Sequence, residues 1–261
     1  MMFGAFNKPI KDWRGRRIWV IGASSGIGAG LAQALWQRGA RVAVSARRGA
    51  ELEQLAAAHG AAALVLPLDV TNPSAVQPAL DQIVQAWGGV DLVVLCAGTH
   101  QPVRAWELEA ASARRLLEIN LHGVIHCLPP VVARLLQQGA GGIAVVSSIA
   151  GYGGLPTSLV YGTSKAALNN LTETLYLDLA PRGISVYLVC PGFVKTPLTD
   201  RNEFPMPALI SVEAAAAAMI TGFERGEFEI HFPKRFTRLL KFLRLLPYRC
   251  YFALVHRGTG L

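Results

Sequence analysis

Two groups of residues in this sequence have types and spacings that suit chemistry. The first is the run Gly22-Ala23-Ser24-Ser25-Gly26-Ile27-Gly28, which follows the apolar segment Arg17 to Ile21. Glycines placed there let the backbone turn tightly and come close to a pyrophosphate. A helix beginning at Gly26 would aim free N–H groups and its positive dipole end at the phosphates. The second group is Tyr161 and Lys165, four apart at the start of a predicted helix, so their side chains share a face. Six tyrosines and six lysines would give roughly 0.14 such spacings by chance. The pair is therefore suggestive and not decisive. Ser148 closes a predicted strand, where an active-site group naturally emerges, and Asn120 sits inside a long predicted helix just before Gly123.

A ribose 2′-hydroxyl is usually held by a carboxylate about 20 residues beyond such glycines. The second apolar run of this chain ends instead in Arg47 and Arg48, with no acid. Guanidinium groups present paired donors to phosphate oxygens, so the pair favours NADP(H) over NAD(H). Two solvated surface arginines are the other reading.

The elements that must position these groups are legible in the hydrophobic pattern. Apolar runs at 17–21, 41–45, 64–68, 90–95, 142–147 and 184–190, with a weaker one at 227–232, predict strands. Segments at 26–38, 50–59, 73–87, 108–138, 158–181 and 211–224 predict helices. The runs are continuous rather than alternating, as in strands covered on both faces, and strand–helix alternation implies right-handed crossovers in a parallel sheet. The expected fold is α/β: one doubly wound Rossmann domain over 1–233, with about seven parallel strands and helices on both faces. A basic amphipathic helical tail follows at 234–261.

With 52% hydrophobic and 16% charged residues, the 261-residue chain excludes a disordered protein and can bury a large core. No stretch approaches the roughly 18 consecutive apolar residues of a membrane span. Residues 1–17 are polar and mixed in charge, unlike a signal peptide, so a cytoplasmic protein is expected. Cys96, Cys127, Cys190 and Cys250 form no CxxC pair and read as reduced thiols. His122, His126, His231 and His256 show no ligand spacing, and no metal site is expected.

Taken in order, the glycine turn, Asn120, Ser148, Tyr161-x-x-x-Lys165 and Pro191-Gly192 resemble the single-domain branch of the short-chain dehydrogenase/reductase family over roughly residues 15–225. The resemblance implies that Tyr161 is the acid/base exchanging a proton with the substrate oxygen. A free phenol has a pKa near 10, so Lys165 and the charged nicotinamide would stabilise its phenolate. It further implies that Lys165 binds the nicotinamide ribose, Asn120 holds a relay water and Ser148 donates to the developing oxyanion. Gly22, Ser24, Ser25, Gly26, Ile27 and Gly28 would cradle the cofactor phosphates. Asp69 and Val70 would read the adenine, Ala97 and Gly98 would border the site after the fourth strand, and Pro191, Gly192, Val194 and Thr196 would line the nicotinamide. Two places depart from the family pattern: Ile21 where a threonine is usual, and Leu95-Cys96 where paired asparagines are usual. The sheet's bracing is more affected than its chemistry. Cys96 reads as a packing residue, with a redox-sensitive thiol as the alternative.

The implied activity is NADP(H)-dependent interconversion of a carbonyl and an alcohol. The competing class is a non-catalytic NADP-binding sensor or scaffold, against which the intact Tyr161, Lys165, Ser148 and Asn120 argue. A nucleotide-sugar isomerase or dehydratase is a further option, but roughly 65 residues after Thr196 leave little room for its substrate domain. The substrate loop, about 196–212, carries Phe204, Pro205, Met206, Pro207, Leu209 and Ile210, which form either an apolar lid for a lipophilic substrate of the kind lipid metabolism supplies or ordinary packing. Of the net charge of +8, seven basic residues lie from Lys234 onward with no acid among them, so 18 basic residues nearly balance 17 acids in the rest. Residues 234–257 thus suit peripheral docking on the inner face of a membrane, or equally an arm in a homodimer or homotetramer; nucleic acid is not expected.

Overall fold

The computed structural model describes residues 5–202, 204 and 206–260. Seven parallel strands, β1(Arg17–Ile21), β2(Arg41–Ser45), β3(Ala63–Val65), β4(Leu92–Leu95), β5(Gly141–Val146), β6(Ile184–Pro191) and β7(Glu229–Phe232), form one sheet in the order β3-β2-β1-β4-β5-β6-β7. Successive strands move outward on one side of β1 as far as β3, and then on the other side from β4. A crevice opens at the carboxyl ends of β1 and β4, where the strand order reverses.

Both faces of the sheet are buried because strands β1 to β6 each supply apolar residues to two cores, while β7 serves the first alone. Ile18 and Val20 of β1 pack with residues of α1(Gly26–Trp36) and α7(Val212–Arg225), including Leu31, Leu35, Met219 and Phe223. Trp19 and Ile21 turn to the opposite core, with residues of α3(Val76–Trp87), α5(Gly123–Gln138) and α6(Leu159–Leu179). The buried Trp19 indole donates to Ser45 Oγ at 2.9 Å, so the one polar atom of that large side chain is satisfied. Helix α2(Gly49–Ala56) follows β2 and covers the edge of the first core.

The expected architecture is present, with three local differences. Strand β3 ends at Val65 rather than 68, and Pro67 falls at an edge position whose nitrogen faces away from β2. The chain still runs beside β2, through Leu66 N–H to the Val44 carbonyl and Leu68 N–H to the Ala46 carbonyl, both at 3.0 Å. The long helix expected over 108–138 is two helices, α4(Ala110–Leu117) and α5, joined by a π-turn over Glu118–His122. The run 110–138 is long and apolar enough to span a membrane by composition. Its Val124, Cys127, Val131 and Leu135 are nevertheless buried in the second core, the behaviour of a core helix.

The third difference is the N-terminal segment, whose polar composition hides a structural role. The buried Asn7 amide donates to the Val186 carbonyl at 2.8 Å and accepts from the Val186 N–H at 2.9 Å. It also donates to the Glu227 carbonyl at 3.2 Å, and so ties residues before β1 to β6 and the loop before β7. The tail divides at Pro247 into α8(Lys234–Arg244) and α9(Tyr248–Thr259).

Candidate active site

The loops at the carboxyl ends of the strands enclose a cleft of about 340 Å³ at the β1/β4 switch point. Its floor is the glycine turn. Gly22 (φ +98°) and Gly26 (φ +58°) hold backbone conformations that other residues rarely adopt. A Cβ on Gly28 would run into the Gly22 carbonyl, and one on Gly22 would strike the backbone of Ala97. Backbone therefore packs directly on backbone between the ends of β1 and β4. Ser24, Ser25, Gly26 and Ile27 line the cleft with the N-terminus of α1, whose first amides have no partner within the helix. The arrangement fits a dinucleotide pyrophosphate, since side chains are removed where the phosphates must approach and N–H groups are supplied in their place.

At the β2 end, Arg47 and Arg48 border the same cleft. Arg48 Nη2 donates to Ser24 Oγ at 2.9 Å and to Ser25 Oγ at 3.4 Å, while its Nε lies 3.0 Å from Glu51 Oε1. The guanidinium is thus already directed at the glycine turn. Asp69 and Val70 follow the β3 segment on another wall. The Asp69 carboxylate is oriented through Oδ1, which accepts from the Thr71 N–H at 3.0 Å and from Thr71 Oγ1 at 2.9 Å.

Tyr161 and Lys165 lie on adjacent turns of α6 and both reach the cleft. Ser148 sits just past β5 as the N-cap of a short turn over Ile149–Gly151, and its Oγ accepts from the Ala150 N–H at 3.1 Å. Burial raises the Tyr161 phenol above its ordinary pKa, against the lowering effect of a side-chain hydrogen bond with Ser148. Lys165 is buried, its Nζ donates to the Val146 carbonyl at 2.9 Å, and it stands 5.7 Å from the Tyr161 ring centroid. Burial pushes its ammonium down to about 8.

Asn120 lies in the π-turn, entirely buried. Its amide donates to the Thr99 carbonyl at 2.9 Å and to Ser164 Oγ at 3.3 Å, and its Oδ1 accepts from the Thr99 N–H at 2.7 Å. Both N–H groups of the side chain are committed, so in this arrangement the side chain braces the loop after β4 against α6. Ala97 and Gly98 belong to that loop. A Cβ on Gly98 would lie 3.5 Å from Asn120 Oδ1 and 3.7 Å from Lys165 Nζ, an ordinary contact distance.

Pro191, Gly192, Val194 and Thr196 form the wall after β6. Thr196 is fixed by Thr199, whose Oγ1 accepts from the Thr196 N–H at 3.0 Å. The substrate loop is pinned at its base by a parallel bridge between Val194 and Ile210. Phe204 is part-exposed and meets Phe193 edge to face at 5.9 Å, and Leu209 is also exposed, whereas Pro205 lies outside the described residues.

Sequence reasoning therefore places every proposed site residue on or beside one cleft. It misses the residues that hold them. Ser147 Oγ donates to the Lys165 carbonyl at 3.0 Å and contacts Asn169 Oδ1 at 2.6 Å, and Asn169 donates to the Gly151 carbonyl at 3.1 Å. The spacing of Asn169, four beyond Lys165 on the same helical face, is the one signal that could have found it. His100 is also missed: its buried ring meets Tyr161 edge to face at 4.5 Å. Cys96 borders the cleft, but burial holds its thiol at about 11, which suits a packing residue better than a reactive one.

A family model for short chain dehydrogenases matches residues 16–205. An uncharacterised oxidoreductase of Myxococcus xanthus is 36% identical over 87% of this chain and 91% of its own length. A cis-4-hydroxycyclohexanecarboxylate dehydrogenase of Sinomonas cyclohexanicum is 35% identical over 80% of this chain and 83% of its own. Among solved structures, a short-chain dehydrogenase/reductase from Burkholderia phymatum in complex with NAD superposes with a TM-score of 0.80 at 26% identity, covering 89% of this chain and 94% of the other.

Proposed function

The chain belongs to the short-chain dehydrogenase family, and from that premise we propose that it is an NADP(H)-dependent reductase of a lipophilic ketone or aldehyde. The observation that carries this reading is the convergence of the Tyr161 phenol, Ser148 and Lys165 in the cleft whose floor is the glycine turn. Bound on that turn, the cofactor supplies the hydride for reduction, or accepts it in the reverse direction.

The residues divide the remaining work. Ser148 donates a hydrogen bond to the substrate oxygen and strengthens it as negative charge develops there. The Tyr161 phenol gives that oxygen its proton. Burial keeps the phenol protonated at neutral pH, the form needed to give the proton in the reductive direction. Lys165 keeps a positive charge beside the ring and stabilises the phenolate left behind. Asn120 acts as a positioning residue through Thr99 and Ser164. Arg47 and Arg48 flank the place of a 2′-phosphate and favour the phosphorylated cofactor. Phe193, between the cleft-lining Gly192 and Val194, meets Phe204 of the substrate loop, an apolar pairing that supports an apolar substrate.

The test is NADPH oxidation with a panel of carbonyl compounds graded by chain length, run on the native protein and on Tyr161→Phe. Turnover should rise with chain length and fall by about 10²–10⁴-fold in the variant, with NADPH binding intact. Turnover unchanged in Tyr161→Phe would overturn the proposed acid.

A further inference from the structure

Helices α8 and α9 lie outside the cleft, yet they are fixed to the domain. The Tyr251 hydroxyl donates to the Gly154 carbonyl at 2.8 Å. Lys241 pairs with Glu229, whose Oε1 accepts from the Tyr152 hydroxyl at 2.6 Å. On α8 the inward side carries the buried Thr237 and the partly buried Phe236 and Leu240. At 100° per residue the outward side gathers Arg235, Arg238, Leu239, Phe242 and Leu245. All five are exposed, Leu245 by 81%. Beyond Pro247, Tyr248 and Phe252 stack at 5.5 Å and are exposed as well.

Large apolar residues and arginines are thus mixed on one firmly held surface. Of the seven basic residues from Lys234 onward, Lys234 and Lys241 pair with acids and Arg244 lies over the Tyr248 ring. Arg235, Arg238, Arg249 and Arg257 make no ion pair among the described residues. No Asp or Glu follows Glu229 in the sequence.

We propose that this outward face of α8 and α9 docks on an anionic lipid surface. An interfacial helix of this kind places Leu and Phe among the acyl chains and basic groups at the headgroups, and both halves of the face are then satisfied. A second copy of the chain satisfies only the apolar half. In a two-fold contact the same patch faces itself, so the unpaired arginines would meet one another with no acid to offset them. A nucleic acid would satisfy only the basic half.

Through its inward side, α8 also reaches toward the substrate loop. Phe236 of α8 lies 6.0 Å from Phe193, which in turn meets Phe204 of the substrate loop. Docking would bring that loop to the lipid side, where an apolar carbonyl compound partitions. This last consequence rests on the lipophilic-substrate reading; the docking itself does not.

The experiment is co-sedimentation of the full chain with vesicles of phosphatidylcholine alone and with about one third phosphatidylglycerol, at two salt concentrations. Each basic group near such a surface contributes roughly fivefold to partitioning. Arg235→Gln/Arg238→Gln should therefore lose on the order of twentyfold on anionic vesicles. Phe242→Ser/Leu245→Ser should weaken binding at high salt as well, where the electrostatic part is screened. Both pairs are exposed, and unchanged thermal unfolding checks that the variants remain folded. NADPH binding should be unaffected by either pair, which separates failure of the docking from failure of the proposed activity. Equal partitioning onto neutral vesicles, no binding to either, or an oligomer in light scattering that Phe242→Ser/Leu245→Ser dissociates would each overturn the proposal.

Discussion

Arg48→Ala is expected to weaken NADPH far more than NADH, and its size follows from the contacts around the guanidinium. Arg48 Nη2 is anchored on Ser24 Oγ at 2.9 Å, beside the phosphate cradle, so little reorientation is needed to meet a 2′-phosphate. A hydrogen bond to a charged group contributes about 1.5–3 kcal/mol. Two effects reduce that figure. The side chain is half exposed, and the native arginine must share its charge with Glu51 at 3.0 Å, a surface pair itself worth about 0–1 kcal/mol. A net loss of about 1–2 kcal/mol remains, or roughly 5- to 30-fold in the NADPH dissociation constant. NADH lacks the phosphate and should change by less than about twofold.

The competing carboxylate gives a second arm of opposite sign. Glu51→Gln removes a negative charge from the place a 2′-phosphate would occupy and frees Arg48, so NADPH should bind a few-fold more tightly with NADH unchanged. Arg47→Ala should resemble Arg48→Ala, and the double variant should fall short of the sum, because neighbours serving one phosphate are not independent. Fluorescence titration of both cofactors at two salt concentrations measures all of this. Equal losses for NADPH and NADH would refute the assignment, since a contact to the shared part of the cofactor cannot discriminate between them.

Two other outcomes follow from the site and its frame. Lys165 is charged below its lowered pKa of about 8 and neutral above it, so kcat/KM for reduction should hold at lower pH and fall as pH rises through about 8. The raised Tyr161 phenol remains protonated over that range, and a profile level to pH 10 would sink the role given to the ammonium. Asn7→Ala removes three hydrogen bonds and leaves the buried Val186 N–H and carbonyl without that partner, so it should destabilise the fold by about 2–4 kcal/mol. Urea unfolding should show a lower midpoint at constant slope, and an unchanged midpoint would mean that the N-terminal segment does not support the sheet.

What could be read from the sequence depended on whether a residue's role is set by its neighbours in the chain. The strands were legible because burial on both faces leaves nearly unbroken apolar runs such as Ile18 to Ile21. The cradle was legible because its requirement is local, a turn of positive φ followed by a helix. Tyr161 and Lys165 were legible because one helix carries both. Asn7, Ser147 and Asn169 were not, since each acts on backbone or side chains far away in sequence, and a single polar residue gives no sign of a distant partner. The π-turn was missed for a related reason. Gly123 marked an irregularity, but packing explains it: a Cβ there would strike Val70 from the loop after β3 at 2.6 Å.

Asn120 shows how far a local reading can carry a role. Resemblance gives Asn120 a relay water to hold; its two side-chain N–H groups go to Thr99 and Ser164. The same bonds join three chain segments that carry site residues: the loop with Ala97 and Gly98, the π-turn, and the start of α6 with Tyr161. Ser164 completes the link, because its own hydroxyl donates to the Tyr161 carbonyl at 2.7 Å. A shift of the loop after β4 would therefore be felt at the backbone of the acid itself. The wide turn at Glu118–His122, closed by the Gly123 N–H on the Glu118 carbonyl, is what lets a side chain from the middle of a core helix reach that junction. On this geometry the side-chain amide fixes where Tyr161 stands relative to the cradle.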